Sequence, residues 1–223
     1  MRIILMGPPG SGKGTQASRV EERYGFPVIS TGNLIRREVQ EGSELGKKAR
    51  NSMNAGRLVN DQVVLEILKK RIFSTDCKKG YVLDGFPRNM NQAKKLEEIH
   101  PGHKEVVLGL HVSDETVVQL LGARRICPKD GSVYNLYTSS PLKDRKCDIC
   151  GEELVQRKDD KPQVVRERLK VYHEKIETLI NYYKNKGIYY KINGEKDIKD
   201  VSKDIFSVLD KELSKIKKFE MTS

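Results

Sequence analysis

The chain has 223 residues, enough for one α/β domain with a small insertion and too few for two independent domains. Hydrophobic residues make up 37% and charged residues 33%, as in a globular protein with a well-solvated surface, and no stretch nears the ~20 apolar residues that span a bilayer. A net charge of +11 suits polyanionic partners, either nucleotides or nucleic acid, although much of the lysine excess reads as solvated surface.

Arg2–Met6 is short and apolar and predicts a buried parallel strand. Its apolar run is too brief for an export signal, so a cytoplasmic location is the expectation. The strand leads into Gly7-Pro8-Pro9-Gly10-Ser11-Gly12-Lys13-Gly14-Thr15, and Thr15–Tyr24 predicts the first helix. Pro27–Ser30 predicts the second strand. Asp61–Phe73 carries Val64, Leu65, Leu68 and Ile72 at helical spacing, with Asn60 or Asp61 as its cap. Tyr81–Asp84 and Glu105–Val112 predict two more strands, and Ser113 or Asp114 can cap a helix through Val117, Val118 and Leu121. Gln163–Lys186 sets Val164, Leu169, Tyr172, Ile176, Leu179 and Tyr183 along one stripe. Ile188–Ile192 predicts the last strand. The last helix, Val201–Lys217, repeats Ile205, Val208, Leu209, Leu213 and Ile216, with Lys211, Lys215, Lys217 and Lys218 on its polar side. Strands alternating with helices imply right-handed crossovers and a doubly wound parallel sheet covered on both faces.

The glycine-rich loop is the most informative segment. Glycines let successive N–H groups turn inward around phosphate oxygens, and the following helix N-terminus adds positive potential. Lys13 supplies a mobile point charge for a transferring phosphoryl group.

Further motifs follow in order: Ser30-Thr31-Gly32-Asn33-Leu34-Ile35-Arg36, Gly56-Arg57-Leu58-Val59, Leu83-Asp84-Gly85-Phe86-Pro87-Arg88 with Gln92, Arg124-Arg125, Arg157-Lys158-Asp159-Asp160, then Arg166 and Arg168. With the GxPGxGKGT spelling of the loop, this series resembles the adenylate kinases, a branch of the nucleoside monophosphate kinases, along nearly the whole chain. The resemblance implies a five-stranded P-loop core over residues 1–223, with an AMP-binding helical lobe at 30–59 and a lid at 123–161 hinged near 122 and 161. It implies reversible transfer from ATP to AMP giving two ADP, with Mg²⁺. It also implies that Lys13, Arg88, Arg124, Arg157 and Arg168 are catalytic. ATP would be held by Gly10, Ser11, Gly12, Lys13, Gly14, Thr15, Arg124, Val133, Tyr134 and Lys196. AMP would be held by Thr31, Arg36, Arg57, Leu58, Val59, Gly85, Phe86, Pro87, Arg88, Gln92, Arg157 and Arg168. Within that set, Arg36 and Arg88 take the phosphate, and Thr31 and Gln92 read the adenine edge. Asp84 would orient the waters of Mg²⁺. Because Gly14 separates Lys13 from Thr15, the Thr15 hydroxyl is expected to reach Mg²⁺ through water.

The chemistry agrees with this set. Bringing two polyanions together calls for positioning and charge stabilisation, and a phosphate ionised near neutrality (second pKa about 6) needs no general base. Two positions depart from the family pattern: Asn33 replaces a common Asp, and Leu120 stands where an arginine often stacks on the donor adenine. A kinase acting on UMP or CMP is the neighbouring alternative, and Thr31 and the long lid favour AMP.

Cys127, Cys147 and Cys150 cluster in Cys127–Asp160, a segment of short polar runs that breaks the strand–helix rhythm, while Cys77 stands alone as a partly buried small residue. Clustered cysteines in a chain without an export signal point to metal rather than disulfide. By resemblance the ligands are Cys127, Asp130, Cys147 and Cys150 around a structural Zn²⁺, with Asp144 or Asp148 as the alternative fourth ligand. A lid held by hydrogen bonds with free thiols is the competing expectation. A nucleic-acid-binding role is disfavoured by 6% aromatic content and the lack of Trp. A nucleotide switch without turnover is disfavoured by the full set of arginines. A monomer with no membrane partner is expected.

Overall fold

The computed structural model describes the backbone of residues 1–220 and the side chains of residues 1–216. The polar-side reading of Lys217 and Lys218 therefore lies outside the described residues. Five parallel strands form the central sheet: β1 (Arg2–Met6), β2 (Val28–Ser30), β3 (Tyr81–Asp84), β4 (Glu105–His111) and a last strand, Tyr189–Asn193. Their order is β2-β3-β1-β4 and then that last strand, so connections leave β1 in opposite directions on its two sides. Such a switch point opens a crevice at the carboxyl ends of the strands, where α/β sheets bind ligands.

Helices α1 (Lys13–Tyr24), α2 (Thr31–Glu41), α3 (Glu44–Asn54), α4 (Asp61–Ile72), α5 (Met90–Ile99), α6 (Asp114–Gly122), α7 (Pro162–Asn185) and α8 (Ile198–Glu220) surround the sheet. One apolar layer joins Ile4, Leu83 and Val107 to α4, α5 and α7 through Leu68, Leu96 and Leu179. The other joins Ile3, Val82 and Val106 to α1 and α8 through Val20, Ile205 and Leu209. Alternate residues of β1, β3 and β4 thus face opposite layers, which explains why these strands are apolar throughout. Cys77 is wholly buried rather than partly so, and Arg71 Nη1 donates to its sulfur at 3.0 Å.

The predicted elements differ from the observed ones mainly at their ends. Phe73 lies just past α4 and is 60% exposed, and on α7 Val165, not Val164, turns fully inward. Helix α5 has no counterpart in the sequence reading. Asn89 caps it, its side chain accepting from the Gln92 N–H at 2.8 Å, and the Asn-x-x-Gln spacing was the signal that could have located it.

Between α6 and α7 the chain forms a separate small hairpin, β5 (Arg124–Ile126) against β6 (Val133–Asn135). With these two named, the last strand of the main sheet is β7. No described helix is long and apolar enough to cross a membrane.

Candidate active site

The chain leaves β1 at Met6 and turns sharply before entering α1. Gly10 and Gly12 take φ values of 78° and 81°, in the left-handed region that favours glycine. A Cβ on Gly10 would stand 2.6 Å from Leu121 Cγ, so α6 packs this close only against a residue without a side chain. No side chain caps α1 and no acidic residue sits in its first turn, so its free N–H groups keep the full positive end of the helix. Lys13 folds back over the loop, and its Nζ donates to the carbonyls of Gly7 at 2.9 Å and Pro8 at 2.6 Å and to Ser11 Oγ at 3.2 Å. Burial lowers the Lys13 pKa to about 8; Asp84 opposes the shift, and Arg88, Arg168 and Arg124 add to it.

Asp84 ends β3, and its Oδ2 lies 3.8 Å from where a Cβ of Gly14 would be. Its backbone carbonyl accepts from Thr31 Oγ1, whereas its carboxylate has no hydrogen-bond partner among the described residues. A half-buried, uncommitted carboxylate beside the phosphate loop fits the water shell of Mg²⁺. Gly85 O accepts from Thr31 Oγ1 at 3.0 Å and from Arg88 Nε at 2.7 Å, which draws the second and third motifs together.

Three arginines converge on two carboxylates. Arg124 grips Asp160 through Nε at 2.8 Å and Nη2 at 2.5 Å. Arg168 Nη1 reaches Asp159 Oδ2 at 3.1 Å and Asp160 Oδ1 at 3.3 Å, and Arg36 Nη1 lies 3.8 Å from Asp159. Asp160 is fully buried. Neither acid was assigned a role from the sequence, where both read as part of a basic motif. Asn33 uses its amide oxygen to hold Arg36 Nη2 at 2.6 Å. Arg166 is exposed and stays outside this network.

Six cations, Lys13, Arg36, Arg88, Arg124, Arg157 and Arg168, thus gather around three carboxylates, Asp84, Asp159 and Asp160. Burial, with the neighbouring guanidinium groups adding to it, lowers Arg157 to about 9 and Arg36 to about 10. Arg157 Nε is buried with no hydrogen-bond partner among the described residues. A buried unpaired donor costs about 1–3 kcal/mol, which an anionic oxygen would recover.

Beside this cluster opens a cavity. It brings together Thr31, Arg36, Arg57, Leu58, Val59, Gly85, Arg88, Gln92 and Arg168 from the expected AMP set. Ile35, Met53 and Val64 add apolar wall that the sequence reading did not assign. Phe86 is instead 1% exposed and packed in the core, and neither Pro87 nor Arg157 lines the cavity. Three residues expected at ATP are engaged elsewhere or stand apart: Tyr134 turns its hydroxyl to Cys147 Sγ and the Asp148 N–H, Lys196 pairs with Asp204 at 2.7 Å, and Val133 is exposed. Leu120 offers only its carbonyl, to Asn135 Nδ2 at 2.8 Å.

In the hairpin lobe the donor atoms of Cys127, Asp130, Cys147 and Cys150 all lie within 4.8 Å of one another. Cys127 and Cys150 sulfurs are 3.4 Å apart, and Cys147 Sγ is 3.1 Å from Asp130 Oδ2. Zn–S bonds of about 2.3 Å in a tetrahedron set donors about 3.8 Å apart, so the donor set fits Zn²⁺ with little adjustment. Asp144 is not among these donors. Asp148, the other alternative, is used locally, accepting from the Leu142 N–H at 2.8 Å.

The adenylate kinase family model matches residues 5–188. An adenylate kinase of Archaeoglobus fulgidus is 50% identical over 95% of this chain and 99% of its own length. One from Methanosarcina mazei is 48% identical over 95% and 99%, and one from Caldicellulosiruptor saccharolyticus 45% over 94% and 99%. Loop, cavity and arginine cluster stand in the same chain order as the motifs, and the chain belongs to the adenylate kinase family.

Proposed function

We propose that this chain moves the terminal phosphoryl group of ATP onto AMP by in-line attack, and runs the reverse reaction from two ADP. The observation that carries this reading is the surplus of six cations over three carboxylates around the glycine loop, with Arg157 Nε buried and unpartnered among the described residues. Two nucleotides bring the balancing negative charge.

The first-turn N–H groups of α1 and the loop from Gly10 to Thr15 hold the donor phosphates, and Lys13 follows the phosphoryl in flight. Arg36 and Arg88 hold the AMP phosphate, while Arg124, Arg157 and Arg168 span donor and acceptor. Asp159 and Asp160 fix Arg124 and Arg168 before ligand arrives, so little reorganisation is left for the transition state. Thr31 and Gln92 face the adenine, and Ile35, Met53 and Val64 give it apolar walls. Mg²⁺, when bound, draws charge from the ATP phosphates; Asp84 and Thr15 would both hold it through its waters. The AMP phosphate is already ionised and serves as nucleophile without a base.

Residues 30–59 and 123–161 act as two mobile covers that exclude water during transfer. Zn²⁺ in the second would be structural, held by Cys127, Asp130, Cys147 and Cys150, which the reducing cytoplasm keeps available. A monomer suffices, because every side chain invoked comes from one chain.

The test is a coupled assay of ADP formation from Mg-ATP with AMP, UMP, CMP or GMP, with and without a chelator. Turnover is expected with AMP well above the others. No ADP from Mg-ATP and AMP would overturn the reading, and equal rates with UMP would move the chain to another monophosphate.

A further inference from the structure

Gln92 lines the cavity and is 2% exposed, yet its amide is gripped from both sides. Its Oε1 accepts from the Arg88 N–H at 2.8 Å, and its Nε2 donates to Asp61 Oδ1 at 2.7 Å. A backbone N–H can only donate and an ionised carboxylate can only accept, so these partners dictate which end of the amide is which. Burial alone would raise the Asp61 carboxyl. Hydrogen bonds from Asn91, Asn89 and Gln92 more than offset this and hold it below the usual carboxylate range, so it stays an acceptor at neutral pH. Asp61 belongs to the first turn of α4 but does not cap that helix: Asn60 does, accepting from the Gln62 N–H at 2.9 Å. Its two oxygens are spent across the gap on α5 and its cap, Oδ1 on Asn89 and Gln92, Oδ2 on Asn91.

We infer that Asp61 is a positioning residue for base selectivity, locking the Gln92 amide in the orientation that reads a 6-aminopurine and rejects a 6-oxopurine. The inference rests on the reading that Gln92 faces the purine. With these two bonds made, Gln92 keeps one lone pair on Oε1 and one hydrogen on Nε2. Adenine offers the matching pair, an amino hydrogen at position 6 and an acceptor at N1. Hypoxanthine offers the inverse, a carbonyl oxygen at position 6 and a hydrogen on N1. An amide free to turn over could serve either base; one locked at both ends serves only the first.

The experiment compares kcat/KM for AMP and for inosine monophosphate, with ATP as donor. Asp61→Ala is expected to lower the AMP-to-IMP preference by about tenfold or more, with the KM for ATP unchanged. Asp61→Asn is expected to restore most of the preference, because an amide oxygen can accept from the same two donors while Asn91 turns its own amide over. Asn91→Ala breaks a bond between the same helices without freeing Gln92 and should leave the preference intact, which separates orientation from simple helix tethering. If Asp61→Ala is too unstable to assay, Asp61→Ser, whose hydroxyl sits one bond short of the carboxylate oxygens, takes the acceptor out of reach of Gln92 and gives the same readout. A folded Asp61→Ala or Asp61→Ser enzyme with the parent preference would overturn the inference, as would an Asp61→Asn enzyme that loses as much as Asp61→Ala. Gln92→Leu tests the underlying reading separately: if it leaves the AMP-to-IMP preference unchanged, Gln92 does not face the base at all.

Discussion

The sheet and the hairpin lobe solve the problem of staying folded in opposite ways. Around the sheet, two apolar layers bury Ile3, Ile4, Val82, Leu83, Val106 and Val107 completely. The lobe buries only Cys127, Tyr134, Cys147 and Leu154 as a cluster of its own, and leaves Leu142, Ile149 and Tyr137 at 91%, 77% and 75% exposed. A full core can tolerate a neighbouring site that is electrostatically costly; four buried residues supply little core of their own, which is where a cross-link would contribute most. The charged groups follow the same division. Next to the sheet lies a surplus of cations suited to an anion, and in the lobe a thiol-and-carboxylate set suited to a cation.

The largest effect should come from the costly side of this contrast. Lys13→Met is expected to cut kcat/KM about 10³-fold or more, since it removes a charge aimed at the transferring group. Stability should not suffer. Burial lowers the Lys13 pKa to about 8, so keeping the ammonium at neutral pH costs the folded protein relative to the unfolded chain, and a neutral side chain of similar length relieves that. Activity within tenfold of the parent would remove Lys13 from its role, and a clear drop in Tm would show that its hydrogen bonds to Gly7 and Pro8 outweigh the desolvation.

A smaller effect is expected from the lobe. Cys147→Ser, or treatment with a strong chelator, should unfold the hairpin at a temperature well below the main transition and lower kcat by about 10- to 100-fold. Far-UV circular dichroism should barely change, because the helices pack on the sheet. Unchanged melting and turnover after chelation would show that the lobe is held by its hydrogen bonds, such as Tyr134 to the Asp148 N–H at 2.8 Å.

The two regions also differ in how far they could be read from sequence. Buried strands are continuous apolar runs, and β1, β3 and β4 were legible for that reason. The phosphate loop was legible because few other purposes need those glycines followed by a lysine. What escaped was polar and depended on pairing across long sequence separations. Asp159 and Asp160 look like ordinary surface acids until Arg124, 36 residues away from Asp160, closes on it. Asp61 read as a possible helix cap, since nothing in α4 announces Asn89, Asn91 and Gln92 as its partners. Helix α5 was missed because its apolar content is slight, with Ala93 and Leu96 its buried apolar residues. Tyr134 was expected at ATP by motif, and nothing in the sequence announced that its hydroxyl bonds within the lobe, to Cys147 Sγ and the Asp148 N–H.

The smallest effect is a pH dependence that only the cation-rich side should show. Lys13 must carry its proton to meet phosphate, and in the ligand-free protein that proton leaves around pH 8 rather than at the ordinary 10.5. Between pH 7 and 8.5 kcat/KM, which reports the free enzyme, should therefore fall about fourfold. The nucleotide phosphates are already ionised throughout this range and contribute nothing to the fall. Once bound they place negative charge against Lys13 and raise its pKa again, so kcat should stay flat across the same window. The stability sign is the opposite one. The unfolded chain keeps the Lys13 proton up to its ordinary pKa and the folded chain loses it earlier, so this residue's contribution to stability rises between about pH 8 and 10.5. Lys13→Met should abolish that rise. A kcat/KM that holds level to pH 9 in the parent enzyme would mean that Lys13 keeps an ordinary ammonium, and that burial in the ligand-free protein costs its charge less than the closed loop around it implies.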